Sequence, residues 1–231
     1  MPAYIPAALA ERLAALAGAA GVERLVLFGS RARGDHRERS DVDLAVWGLD
    51  SAGAGRLRLE LEELPTLLEF DLVQVTEETD PALLKNIEKE GVVLMDKFME
   101  KYAKLVRAVD QLYVSLADYD NVRLDSVRDG VIQRFEFCTE LAWKTLREYL
   151  LDQGYVDLNS PKAVMRKAYA VGFLTDEEGW LRLIDARNQT SHIYDEATAQ
   201  RVFGEIRGSF APMLRSLVAE LAPDSKETDH G

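Results

Sequence analysis

At 231 residues the chain is too long for one small domain and short for three. Its 47% apolar and 29% charged residues make an ordinary globular mixture and argue against wholesale disorder. Lys and Arg number 28 against 40 Asp and Glu, a net charge of −12, which is the reverse of a non-specific phosphate binder; the one cysteine, Cys138, excludes an intramolecular disulfide framework and a cysteine-based zinc site.

In chain order, the first element is an amphipathic helix over about Pro6–Ala17. Leu9, Leu13 and Leu16 give it one apolar stripe, and Gly18 and Gly21 end it. Val22 to Phe28 reads as a strand stopped by Gly29. Val42, Leu44 and Val46 alternate with Asp41, Asp43 and Ala45, the period of a second strand. Residues 55–64 read as helix and Glu69–Val75 as a third strand. Asp80 and Pro81 supply the N-cap and first turn of another helix, and Val92–Met95 a short last strand.

Near residue 97 the character changes, and almost everything after it reads as helix. Residues 99–117 carry Tyr102, Leu105, Val109, Leu112 and Leu116 on one stripe. A long helix over 122–152 follows, rich in large apolar residues. Ser160-Pro161 marks a helix start, Thr175 to Glu178 matches a capping box, and Asp195 caps a last helix running to about Leu221. The polar tail from Pro223 to Gly231 is expected to fray. The reading is therefore α+β: a small mixed-sheet domain over 1–97, then an all-α antiparallel helical bundle over 98–231. Both parts are acidic, with 11 basic against 18 acidic residues over 1–98. No run approaches the roughly 18 consecutive apolar residues of a membrane span. Glu11 and Arg12 interrupt the apolar N-terminus, so a cytoplasmic protein without a membrane partner is expected.

Chemistry concentrates at two places. Gly29-Ser30 follows a strand, and Asp41-Val42-Asp43 opens another. Carboxylates at i and i+2 of a strand share a face and repel one another unless a cation intervenes. Mg²⁺ suits oxygen ligands combined with substrate phosphates. Asp71 lies within the apolar run Phe70 to Val73. If its strand neighbours that of Asp43, three carboxylates converge, enough for two metals and an in-line phosphoryl displacement. Glycine lets a phosphate approach the backbone closely, the Ser30 hydroxyl can donate to it, and Arg31 and Arg33 stand in the same loop. Taken singly, an Asp-x-Asp is mostly solvated acid and a Gly-Ser is a turn. The combination, in this order and spacing, carries the functional reading.

That pattern resembles the minimal nucleotidyltransferase branch of the DNA polymerase beta-like superfamily, over about residues 6–97. The resemblance implies a small mixed sheet with helices on one face. It also implies transfer of a nucleoside monophosphate to a hydroxyl, with ATP the usual donor. Asp41, Asp43 and Asp71 become the metal ligands and catalytic acids, with Asp71 activating the acceptor. Gly29 and Ser30 grip the triphosphate, with Arg31 and Arg33 as further nucleotide-binding residues. Nothing in the sequence selects adenine.

The second place is Arg187-Asn-Gln-Thr-Ser-His192-Ile-Tyr194. Residues i and i+5 of a helix lie about 140° apart, so Arg187 and His192 share a face only if the helix ends between them. A guanidinium beside an imidazole could cleave a phosphodiester. The plainer alternative pairs Arg187 with Asp185 or Asp195. Together with Phe135 to Trp143, this motif resembles the HEPN family and its nucleotidyltransferase-substrate-binding branch, over about residues 98–222. Some HEPN members are ribonuclease toxins, silenced when a partner nucleotidyltransferase adds AMP to the motif tyrosine. The resemblance makes Arg187 and His192 the catalytic pair and Tyr194 the acceptor. It implies a homodimer through the helical bundle, with RNA as a partner at the Arg187/His192 cleft. Here both halves share one polypeptide, whereas toxin and antitoxin are usually separate. The leading expectation is Mg²⁺-dependent transfer of AMP from ATP to a protein tyrosine. The alternatives are a small-molecule, antibiotic-type nucleotidyltransferase, a ribonuclease regulated by the first half, and a binding scaffold with a dead transferase site.

Overall fold

The structure is a computed structural model and describes residues 4–190 and 195–223. The chain divides into two compact units, Met1–Lys97 and Phe98–Gly231, each with its own apolar core.

The first unit runs α1 (Ala7–Ala20), β1 (Arg24–Phe28), the single turn α2 (Ser30–Arg33), β2 (Val42–Trp47), α3 (Ser51–Glu62), β3 (Phe70–Gln74), α4 (Pro81–Glu90) and β4 (Val92–Asp96). Local chemistry sets several of these starts. Asp50 caps α3 by accepting from the Gly53 N–H at 2.7 Å, and Asp80 caps α4 by accepting from the Ala82 N–H at 2.8 Å. The strands lie in the order β3-β2-β1-β4, with β2–β3 parallel and the other two pairs antiparallel.

One face of the sheet, with Leu25, Leu27, Val42, Leu44, Val46 and Leu72, packs against Leu13 and Ala17 of α1 and Leu57 and Leu61 of α3. The other face is not bare, contrary to the expectation of helices on one side only. Val26 and Ala45 are buried there against Ile87 of α4. Two reasons combine. The runs Leu25-Val26-Leu27 and Leu44-Ala45-Val46 are apolar on both faces and need cover on both. The chain must also cross from β3 at one edge to β4 at the other, and α4 makes that crossing.

The second unit contains α5 (Lys97–Val122), α6 (Asp125–Asp152), α7 (Pro161–Ala170), α8 (Glu177–Thr190), α9 (Glu196–Glu205) and α10 (Ala211–Glu220). The 26-residue α5 and 28-residue α6 are joined by two residues and share one core, which makes them an antiparallel hairpin. Phe135 and Phe210 stack at the centre, 5.5 Å between ring centroids. Cys138 is buried beside them, and burial pushes its thiol up to about 12. Several boundaries differ from the sequence reading, among them the end of α5, at Val122 and not residue 117. Asp176, not Thr175, caps α8, accepting from the Gly179 N–H at 2.8 Å. The last helix is also not continuous: a π-helical turn, Ile206–Phe210, separates α9 from α10. Pro212 lacks the N–H that would continue the regular ladder, and a π turn absorbs the mismatch.

Candidate active site

The period-two alternation of β2 and β3 puts Asp43 and Asp71 on the α4 side of the sheet. Parallel pairing sets them directly opposite one another, and Phe28 faces Asp43 from β1. Phe28, Asp43 and Asp71 thus form one row across three strands. Asp41 precedes β2 and is exposed. Asp71 is exposed as well, so its charge escapes the burial cost that its apolar surroundings in sequence suggest.

Gly29 holds the turn between β1 and α2 with φ of 69°. A side chain there would collide with the Asp43 carboxylate, its Cβ falling 2.9 Å from Asp43 Cγ. Glycine therefore serves twice: it allows the left-handed turn and leaves room for the acid. Partial burial first, then the charges of Asp71 and Asp41, push the Asp43 carboxyl above the ordinary aspartate range, against the opposing pull of Arg33.

A concavity of about 560 Å³ opens here. Phe28, Gly29, Ser30, Arg33 and Asp43 line one side, and Leu83, Asn86 and Glu90 of α4 the other. Arg33 donates to Glu90 at 3.1 Å and to Asp35 at 3.2 Å, and these carboxylates raise its pKa. Arg31 is placed differently from its expected phosphate-binding role. It is 5% exposed, and its guanidinium donates to the carbonyls of Ser40 at 3.0 Å and Glu38 at 3.2 Å. It ties the 35–40 loop to α2 and does not line the concavity. The sequence reading missed Phe28, Leu83, Asn86 and Glu90. The α4 residues recur at helical spacing beside the buried Ile87, a stripe whose Asn and Glu are out of place on a purely structural face.

Whether a divalent cation fits depends on the donor set. Among the described residues no group of three His, Cys, Asp or Glu side chains is arranged to hold a metal ion by itself. The full convergence of three carboxylates is thus not preformed. Mg²⁺, however, typically takes only one or two carboxylates and completes its shell with waters and substrate phosphates. Asp43 stands opposite Asp71, so a cation there would offset like charge across the two strands. The residues present fit a cation shared with a phosphate-bearing substrate.

In the helical unit, α8 ends at Thr190, whose hydroxyl donates to the Arg187 carbonyl at 2.5 Å. Arg187 pairs with Glu140 of α6 at 3.2 Å, not with Asp185 or Asp195. Asp185 is taken by Lys162 at 2.6 Å, and Asp195 caps α9 by accepting from the Thr198 N–H at 2.8 Å. Glu140 also accepts from the Trp143 indole at 3.2 Å. Arg187 Nε is buried and has no hydrogen-bond partner among the described residues. His192 and Tyr194 lie outside the described residues.

Residues 100–223 match the model of the family described as nucleotidyltransferase substrate binding protein like. The chain belongs to that family. Residues 13–100 match the Polymerase beta, Nucleotidyltransferase family. The protein is therefore a nucleotidyltransferase domain joined to a nucleotidyltransferase substrate-binding domain. A relative from Haemophilus influenzae, named probable ribonuclease HepT, is 28% identical over 109 residues, covering 43% of this chain and 75% of its own. A solved substrate-binding domain of a nucleotidyltransferase, also from Haemophilus influenzae, is 25% identical with a TM-score of 0.48, covering 53% of this chain and 99% of its own. A Thermus thermophilus protein is 29% identical with a TM-score of 0.46, covering 52% of this chain and 99% of its own. Among the described residues no helix is long and apolar enough to cross a membrane.

Proposed function

We propose that this nucleotidyltransferase uses ATP and Mg²⁺ to transfer AMP to a protein tyrosine, Tyr194 of its own helical unit. The observation that carries the reading is Asp43, paired in register with Asp71 and sharing one concavity with the Gly29-Ser30 turn. In the reaction the tyrosine oxygen bonds to the α-phosphorus, the bond to the β-phosphate oxygen breaks, and pyrophosphate leaves. Asp71, exposed beside Asp43, takes the hydroxyl proton. The Ser30 hydroxyl and the Arg33 guanidinium donate to the phosphates, with Arg33 exchanging a carboxylate partner for them. Asp41 and Asp43 are the residues that would hold Mg²⁺, which when bound neutralises charge on the triphosphate.

The test is intact mass spectrometry of the full chain after incubation with ATP and Mg²⁺. The expected result is added mass in units of AMP, absent from Tyr194→Phe and from Asp43→Asn. Unmodified wild-type chain, under conditions where ATP binding is demonstrated, would overturn the claim of self-modification.

A second reading concerns the helical unit, for which the resemblance implies a dimer and an Arg187/His192 ribonuclease pair. The name of the Haemophilus influenzae relative and the buried Nε of Arg187, without a partner among the described residues, support it. It requires that RNA be cleaved by the unmodified chain and spared by His192→Ala.

A further inference from the structure

The side of the concavity formed by α4 has no part in the chemistry above, yet its residues are graded. Glu90 adjoins the phosphate-binding turn, since it accepts from Arg33 at 3.1 Å. Asn86 stands one turn back along the same helix face, and Leu83 nearly one turn further. From Glu90 to Leu83 is seven residues, about 10 Å of helix rise. Over that length the lining passes from charged to neutral polar to apolar. Glu90 is an acid held by Arg33 and not itself a phosphate ligand, and beyond it the lining is neutral and then apolar, a surface suited to a base. Phe28 lines the same concavity, adding an aromatic surface.

We infer that α4 holds the nucleobase and that Asn86 reads its edge, selecting adenine. The inference rests on the transferase reading of this site and deepens it. A base requires apolar surface for its faces and a neutral donor and acceptor for its edge. Phe28 and Leu83 offer the first, and a side-chain amide the second. Asn86 is exposed and, among the described residues, makes no side-chain hydrogen bond, so its amide is available. An asparagine amide presents an acceptor for the adenine 6-amino group and a donor for N7. Guanine offers acceptors at both O6 and N7, so one of the two contacts becomes repulsive.

The experiment is titration calorimetry of the full chain with the Mg²⁺ complexes of ATP, GTP and inorganic triphosphate. Wild type is expected to bind ATP about tenfold more tightly than GTP, the scale of a bidentate edge contact. Asn86→Asp puts an acceptor against N7, which adenine and guanine share, so it should weaken both nucleotides and keep the ratio. Asn86→Ala, which removes both contacts, should weaken ATP by about tenfold, bring the ratio close to one and leave triphosphate unchanged. Because Asn86 is exposed and unpartnered, neither variant removes a folding contact. An ATP-to-GTP ratio unchanged in Asn86→Ala, with wild-type binding intact, overturns the inference and leaves the transferase reading standing. Wild-type protein that binds neither nucleotide nor triphosphate overturns that reading and the inference together.

Discussion

Gly29 stands where any side chain meets the Asp43 carboxylate, and its φ of 69° is one that L side chains rarely adopt. Gly29→Ala therefore has two effects. Strain at the turn should destabilise the protein by about 1–3 kcal/mol, measurable by urea denaturation. Displacement of Asp43 should lower kcat/KM for AMP transfer by at least about a hundredfold, the scale of a misplaced catalytic group. Wild-type turnover in the alanine variant would remove Asp43 from the chemistry. At this scale the sequence was legible in part. Alternation within each strand gives the face of Asp43 and of Asp71, because side chains have period two. It does not say that the two strands are neighbours in register, which depends on pairing across 27 residues of intervening chain. Arg31 shows the opposite limit. In sequence it is indistinguishable from Arg33 two places on, yet one guanidinium is buried on loop carbonyls and the other lines the concavity. Only the path of the 35–40 loop separates them.

The element that shapes the site is α4, and its seat on the sheet depends on Gly91. A Cβ at Gly91 would lie 2.5 Å from Val26 Cγ1 and closer still to the Ile87 carbonyl, both parts of the packed interface. Gly91→Ala must lift the end of α4 or shift β1. The expected cost is about 1–3 kcal/mol, as for other overpacked contacts. Since Leu83, Asn86 and Glu90 ride on this helix, KM for ATP should rise more than kcat falls. Steady-state kinetics at varied ATP separates the two, and a change confined to kcat would mean that α4 does not touch the nucleotide. The helix itself was readable, since Asp80-Pro81 is a strong start signal. Its crossing of the second face was not. That follows from β4 pairing with β1 at the far edge, a long-range fact that local pattern does not carry. The π turn at Ile206–Phe210 escaped for a related reason: Pro212 warns of an irregularity without saying whether the helix kinks, stops or widens.

On the scale of the whole molecule, charge and connectivity together bear on how the proposed acceptor, Tyr194, would be reached. The net charge of −12 is shared by both halves, so two copies of the chain repel at long range, most strongly at low ionic strength. A tyrosine on the same polypeptide is instead at an effective concentration that dilution does not change. Modification is therefore expected to be intramolecular. With radiolabelled ATP, the initial rate per chain should stay constant over about a hundredfold dilution of protein, because a tethered reaction is first order. An equimolar mixture of Asp43→Asn chains, which lack transfer, and Tyr194→Phe chains, which lack the acceptor, should remain unlabelled. A rate per chain that climbs with concentration, or label on the Asp43→Asn chain in the mixture, would instead place the acceptor on a second copy. Added salt distinguishes the two routes further. Screening of like charge should accelerate transfer between chains and leave transfer within one chain without that gain.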